Sequence, residues 1–219
     1  MLLSRSRKRC RPFMNDDGDD QPPKKLQMAL IKKILGGDKD GDDKVSRINN
    51  HIYFYSKVDS ESLCKLNKEI FEAIQELKYV GIDYGIKPPM LYIHIHSYGG
   101  ELDPTMGTYD IIRNADIPIT SIVEGEAASS AALIAVAAKH RHITKHSSML
   151  IHQLSAGMWG TYAEMEDDME NAKLAMEKIK KILLERTSIP SKELDSILDH
   201  DLDFDAVKCK KYGLVDKII

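Results

Sequence analysis

The chain has 219 residues, a formal net charge of −3 and 42% hydrophobic residues. That length can bury one sizeable core plus an appendage, and the charge balance argues against nucleic acid as the main partner. No apolar run reaches membrane-spanning length, and three scattered cysteines (Cys10, Cys64 and Cys209) argue against a disulfide framework, fit a reducing compartment such as the cytoplasm, and offer no pair with metal-ligand spacing.

Residues 1–45 read as a mobile N-terminal extension, because they hold too few apolar residues for a core of their own. Residues 4–11 are strongly basic and 15–20 acidic. No apolar stretch follows the basic cluster, so a secretory signal does not fit; a solvated tail, a targeting sequence or a nucleic-acid tether remain open for it. Residues 26–35 suggest a short amphipathic helix. Residues 36–44 look superficially like a calcium loop, but the glycine is misplaced and no glutamate closes the loop.

From residue 46 onward, strands and helices alternate, which predicts an α/β fold of parallel strands with crossover helices. Residues 51–55 form a strand. A helix over 60–77 starts at Ser60 as cap and carries Leu63, Leu66, Ile70, Ile74 and Leu77 on one face. A loop rich in glycine and proline covers 79–89. Then come a strand over 90–95, the glycine pair Gly99-Gly100, a helix over 105–114, a strand over 117–123 and an alanine-rich helix over 131–140.

The junction Glu124-Gly-Glu-Ala-Ala-Ser129-Ser130 joins that last strand to the alanine-rich helix among residues with little side-chain bulk. A serine nucleophile needs such a setting: a reachable oxygen, beside the unpaired N–H groups of a helix start that can hold an oxyanion. On this segment alone, a plain helix cap is the commoner role for Ser129 or Ser130. A second short apolar strand runs from Ser147 and ends in His152, before a glycine-containing loop. A histidine at a strand end is held in orientation while its ring projects, which suits a general base; a structural or surface histidine is the ordinary alternative. Near the C-terminus, Asp199, Asp201, Asp203 and Asp205 alternate. One of them could orient the histidine, and the others read as solvated or helix-capping residues. Residues 161–187 form the longest predicted helix, with Met165, Met169, Ala172, Met176, Ile179 and Leu183 as an apolar stripe that must face either a partner or the chain's own core.

Together these segments resemble the proteolytic subunit family of the Clp protease, ClpP. The nucleophile motif is matched by Gly125-Glu-Ala-Ala-Ser129 and the histidine motif by Leu150-Ile-His-Gln153. The acid, counted back about twelve residues from the Tyr212-Gly213 ending, falls on Asp201. The family's glycine-pair motif is matched by Ile95-His-Ser-Tyr-Gly-Gly100. The order serine, histidine, aspartate also differs from that of the chymotrypsin and subtilisin types. The resemblance implies a ClpP/crotonase-like ββα superhelix over 46–219 with a projecting helical handle at about 155–187. It implies a catalytic triad of Ser129, His152 and Asp201, an oxyanion hole from the N–H groups of Gly100 and Ser130, and no metal. It further implies a serine endopeptidase of stacked heptameric rings that cleaves unfolded polypeptides. The ATP would be used by a Clp/Hsp100-type unfoldase partner, with no cofactor bound by this chain and no role for membrane or nucleic acid. A catalytically silent ring subunit and a crotonase-fold acyl-CoA enzyme are the alternatives.

The chain departs from the family's pattern at several positions. Tyr98 and Leu154 stand where prolines are usual, and His200 where an arginine is usual. In the family's ATPase-docking cleft Tyr92 and Ile122 fit, whereas His94, Asn114 and Glu124 occupy positions that are normally apolar.

Overall fold

Strand β1 (Val45–Ile48) and strand β2 (His51–Phe54) form an antiparallel hairpin across Asn49 and Asn50. Asn49 takes a positive φ of 55°, a conformation asparagine tolerates in tight turns. The structure, a computed structural model, describes residues 45–219. The readings of an N-terminal extension, a helix over 26–35 and a rejected calcium loop fall essentially outside these residues. Strand β1 was not anticipated from the sequence: Val45-Ser-Arg-Ile48 is apolar only at its two ends and follows directly on a charged run.

Helix α1 (Ser60–Asp83) corrects the sequence reading at both ends. Its cap is Asp59 and not Ser60: Asp59 Oδ1 accepts the Ser62 N–H at 2.8 Å, and Ser62 Oγ accepts the Asp59 N–H at 3.1 Å. Adjacent Asp and Ser are equally good cap residues by type, so side-chain geometry decides. The helix also runs past residue 77 through Tyr79 and Val80, which the sequence assigned to a loop. Gly81 makes this possible. A Cβ there would stand 3.0 Å from Pro88 Cγ, so its absence lets the following segment fold back onto the helix. The Ile86 N–H then bonds to the Gly81 carbonyl at 2.9 Å. Leu63, Leu66, Ile70 and Ile74 are the buried apolar face, as the periodicity predicts.

Strand β3 (Leu91–Ser97), helix α2 (Leu102–Arg113), strand β4 (Ile119–Ala128) and helix α3 (Ser130–Ala137) follow in alternation. Helix α2 begins three residues earlier than expected, because Pro104 sits in its first turn, where a missing N–H costs nothing. Helix α3 stops at Ala137, and His140–Ile143 is a further short strand, β5, where the sequence placed the helix end. Strand β6 (Ser148–Leu150) ends two residues before His152. Helix α4 (Tyr162–Arg186), helix α5 (Ser191–Leu198), strand β7 (Phe204–Asp205), helix α6 (Ala206–Lys211) and strand β8 (Lys217–Ile218) complete the described chain.

The sheet runs β1-β2-β3-β4-β5-β8, parallel from β2 onward. Strand β4 serves two neighbours. Its first half, Thr120–Val123, pairs with β5, and its second half, Glu126–Ala128, pairs with β6. Strand β7 pairs antiparallel with β6. This split carries the end of β4 to the junction where Ser129 lies. Phe54, Leu66, Ile70, Ile93, Ile95 and Ile134 are among the fully buried side chains of the core, and every residue of α3 is buried.

Helix α4 matches its predicted bounds closely, with Thr161 as cap and Glu164 closing a capping box. Its apolar stripe has two fates. Ile179 and Leu183 pack into the core, whereas Met165 is 40% and Met169 47% exposed. The chain's own core therefore covers only the C-terminal part of the stripe. Among the described residues, no helix is long and apolar enough to cross a membrane.

Candidate active site

Strand β4 delivers Ser129 in a strained turn. Its φ is 56° and its ψ −125°, a backbone conformation costing about 1–3 kcal/mol for a non-glycine residue. Three contacts hold it there. The Ser129 N–H donates to the Leu150 carbonyl at 2.8 Å, and the Ser129 carbonyl accepts from the Ala132 N–H at 3.0 Å. The third is packing against Gly99, where a Cβ would lie 2.7 Å from Ser129 Cβ and 2.6 Å from the Ala128 carbonyl oxygen. Gly99, at φ +87°, is thus required by close approach as well as by dihedral. Ser129 occupies the N-cap position of α3, yet its hydroxyl makes no capping hydrogen bond. The cap role that serine type alone suggests is not the one the side chain plays.

Ser129, Ser130, Gly100 and His152 line one pocket of about 180 Å³, whose apolar wall includes Leu133 and Leu154. His152 follows β6 by two residues and is held from its C-terminal side. The Gln153 N–H donates to the Leu198 carbonyl at 2.8 Å, and the Leu154 N–H to Met176 Sδ at 3.1 Å. Where the family's usual proline has no N–H, this chain has one and matches it with a sulfur from α4.

The four alternating aspartates separate by role. Asp201 Oδ1 stands 3.9 Å from His152 Nδ1, an ion-pair distance too long for a hydrogen bond, and Asp201 is 81% exposed. Asp199 ends helix α5, and Asp205 caps α6, its Oδ1 accepting the Lys208 N–H at 2.7 Å. The Glu126 carboxyl is pushed up by burial and then by the charge of Asp203. Nδ1 is the ring nitrogen nearest Asp201, which leaves Nε2 as the other ring nitrogen. Long catalytic hydrogen bonds are common in structures without substrate.

Gly100 and Ser130, the residues expected to supply the oxyanion donors, line the same pocket and are bonded to each other. The Gly100 N–H donates to Ser130 Oγ at 2.8 Å, and the Ser130 hydroxyl donates to the Gly100 carbonyl at 3.0 Å. The sequence reading used only the backbone of Ser130; the doubled serine at 129–130 was the available signal for its hydroxyl. Gly100 has no room for a side chain, since a Cβ would lie 1.9 Å from the Val58 carbonyl oxygen. Among the described residues, no group of three or more His, Cys, Asp or Glu side chains is placed to hold a metal ion.

The polar departures on the outer sheet face satisfy one another. His51 Nδ1 and His94 Nε2 are 2.8 Å apart, His94 Nδ1 and Glu124 Oε1 are 2.8 Å apart, and the Tyr55 hydroxyl donates to Glu124. Burial pushes the Glu124 carboxyl up, but the hydrogen bonds from Tyr55 and His94 outweigh it and hold it below the usual carboxylate range. His51 stacks on Tyr92 at 4.6 Å and Tyr53 on His94 at 4.5 Å. Asn114 is the C-cap of α2.

Comparison with known proteins gives a consistent result. The Clp protease family matches residues 46–219. The ATP-dependent Clp protease proteolytic subunit 2 of Treponema denticola is 32% identical over 157 residues, covering 70% of this chain and 78% of the relative. The ATP-dependent Clp protease proteolytic subunit 1 of Chlamydia caviae is 28% identical over 157 residues, covering 70% and 81%. The corresponding subunit of Oltmannsiellopsis viridis is 31% identical over 130 residues, covering 58% and 67%.

Proposed function

This chain belongs to the Clp protease family, and from that premise we propose that Ser129 is its nucleophile, His152 its general base and acid, and Asp201 the acid that orients the histidine. The chain is a Clp-type serine peptidase with the family's α/β fold. Ser129 Oγ attacks the scissile carbonyl while His152 Nε2 takes its proton. The Gly100 and Ser130 N–H groups hold the oxyanion. His152 then protonates the leaving amine, and a water activated by the same histidine releases the acyl group.

The observation that carries the assignment is the uncapped Ser129 hydroxyl, held in a strained turn that faces the same pocket as His152 and Gly100. A merely structural cap would use its oxygen on the helix N–H groups. A crotonase-fold acyl-CoA enzyme has no need of this serine–histidine pair, and a silent ring subunit has no need of the strain at residue 129.

We extend the reading to assembly and partners. The uncovered half of the α4 stripe supports stacked heptameric rings that enclose the active sites. In such a chamber substrates are unfolded polypeptides, delivered by a Clp/Hsp100-type ATPase that consumes the ATP, in the cytoplasm. A fluorophosphonate probe tests the core of the proposal: it labels Ser129 in the wild-type protein, and Ser129→Ala abolishes both labelling and peptide hydrolysis. Labelling that survives Ser129→Ala would overturn the assignment.

A further inference from the structure

Ser130, the residue after the nucleophile, is 3% exposed and places its hydroxyl on Gly100, as acceptor at 2.8 Å and donor at 3.0 Å. The loop around Gly100 is fixed on both sides. The Val58 N–H bonds to the Gly99 carbonyl at 3.0 Å, and the Glu101 N–H to the Val58 carbonyl at 2.9 Å. With its neighbours so engaged, Gly100 turns its own N–H and carbonyl onto Ser130. The Ser129 N–H is already given to Leu150 and cannot substitute. One of the two donors assigned to the oxyanion is therefore occupied by a side chain of the same pocket. An N–H serves one strong acceptor at a time. An oxyanion reaches the Gly100 N–H only after the Ser130 hydroxyl has left it.

We propose that the Ser130 hydroxyl is an internal plug of the oxyanion hole. It is a positioning residue that acts through Gly100: it caps the Gly100 donor in the resting chain and in the bound ground state, and rotates away only as the scissile carbonyl becomes a tetrahedral oxyanion. The inference rests on the reading of Ser129 as nucleophile. Its physical basis is the cost of an unpaired buried polar group. The hydroxyl satisfies the Gly100 N–H in the empty pocket without needing a water. Once displaced, it gives up both of its bonds to Gly100 inside a pocket with an apolar wall, and that loss is set against the oxyanion's gain. The plug therefore weakens tetrahedral states selectively and leaves ground-state peptide binding nearly untouched.

The experiment uses the full chain and a peptide boronate, in which the Ser129 oxygen adds to boron, its proton passes to His152, and a boron-bound oxygen takes the oxyanion position. Ser130→Ala keeps the backbone N–H and removes the plug. It is expected to tighten boronate binding and raise kcat/KM by about three- to tenfold, with the affinity for a non-covalent product peptide unchanged. Unchanged or weaker boronate binding in a variant with wild-type melting temperature and native mass overturns the plug. Should that variant fail to assemble, a crystal structure of the wild-type boronate adduct decides: the Ser130 hydroxyl is expected to have left the Gly100 N–H, with a boronate oxygen in its place. A Ser129–boron bond with Ser130 still on Gly100 overturns the plug alone. Absence of the Ser129–boron bond overturns the nucleophile assignment, and the plug with it.

Discussion

Ser129 is fixed by two backbone hydrogen bonds and by a glycine that leaves no room for displacement, whereas Asp201, on the other side of His152, is 81% exposed and stands off at 3.9 Å. The two sides draw on different parts of the chain. The serine side comes from β3, β4 and β6, neighbours in one sheet whose register leaves little freedom. The acid side comes from the segment between α5 and β7, which follows the half-exposed helix α4. A strained nucleophile turn needs a rigid frame, because the surroundings must over-determine the unfavourable dihedral. The exposed carboxylate of Asp201 has no such frame within this chain, and under the proposed assembly its placement is where packing by a second subunit would act.

The widest test of this contrast is at the histidine between the two sides. His152→Ala is expected to lower peptide turnover about 10³-fold or more, with fluorophosphonate labelling of Ser129 slowed in parallel. A variant that keeps most of its activity would assign the base to another histidine. On the exposed side the effect is smaller. Asp201→Asn should reduce kcat about 10²-fold, less than the ~10⁴-fold seen for a buried triad acid, since solvent screens an exposed carboxylate at this distance. Asp199→Asn and Asp203→Asn should be much milder, because Asp199 ends a helix and Asp201 is the aspartate that stands at ion-pair distance from His152. Inactivation by Asp203→Asn with a nearly silent Asp201→Asn would move the acid by two residues.

The locked side was also the legible side. A run of small residues between a β-branched strand and an alanine-rich helix marks a sharp turn in the sequence itself; it located the serine pair, whereas the choice of Ser129 over a plain helix cap came from the family resemblance. The long helix was readable almost to the residue from its apolar stripe, and the Thr161–Glu164 capping box that the structure shows explains why it starts there. What escaped was polar, masked or long-range. Strands β1 and β5 are half or more polar, Val45-Ser-Arg-Ile48 and His140-Arg-His-Ile143, and so lack the apolar signal by which the equally short β2 was read. The last turn of α1 was hidden by Gly81 and the prolines after it, whose usual meaning is loop. The Ser130–Gly100 bond joins residues thirty apart, and nothing local in the sequence reports it. The separate roles of Asp199, Asp201, Asp203 and Asp205 depend on where α5 ends and α6 begins.

If outside packing completes the acid side, disturbing the exposed half of α4 should reach the active site. Met169 is 47% exposed in the single chain and lines a groove with Met158, Ala172 and Met176. Met169→Glu places a charge where a facing subunit would bury it without a partner. If the proposed double ring forms, native mass spectrometry is expected to show its loss in this variant, with turnover per chain down about tenfold. A fully active variant of unchanged mass would place the ring contact elsewhere, and a wild-type protein that is monomeric and fully active at all concentrations would remove the assembly reading.

The smallest effect is expected behind the nucleophile helix, where the locked side is anchored. Arg186 donates from Nε to the Val136 carbonyl at 3.1 Å and from Nη2 to the Ala138 carbonyl at 2.8 Å, holding the end of α3. Arg141 Nη1 donates in turn to the Arg186 carbonyl and to the Gly213 carbonyl, and the Arg141 guanidinium pairs with Asp216. Burial pushes the Asp216 carboxyl up, but the side-chain and backbone hydrogen bonds from Arg141 outweigh it and hold it below the usual aspartate range. A carboxyl depressed in the folded state adds stability above its unfolded value, near pH 4, and that stability is lost as pH falls through the folded value. Asp216→Asn should therefore cost about 1 kcal/mol at neutral pH, a figure discounted for the partial exposure of the pair, or about 2–4 °C in melting temperature. The gap between variant and wild type should close as the pH is lowered below about 4. Activity at 25 °C should stay near wild type, because the anchor acts through α3 and the strained turn is held independently from Leu150 and Gly99. A loss of turnover as large as that of Asp201→Asn, with little change in melting temperature, would show that the two sides of the pocket are not separately built.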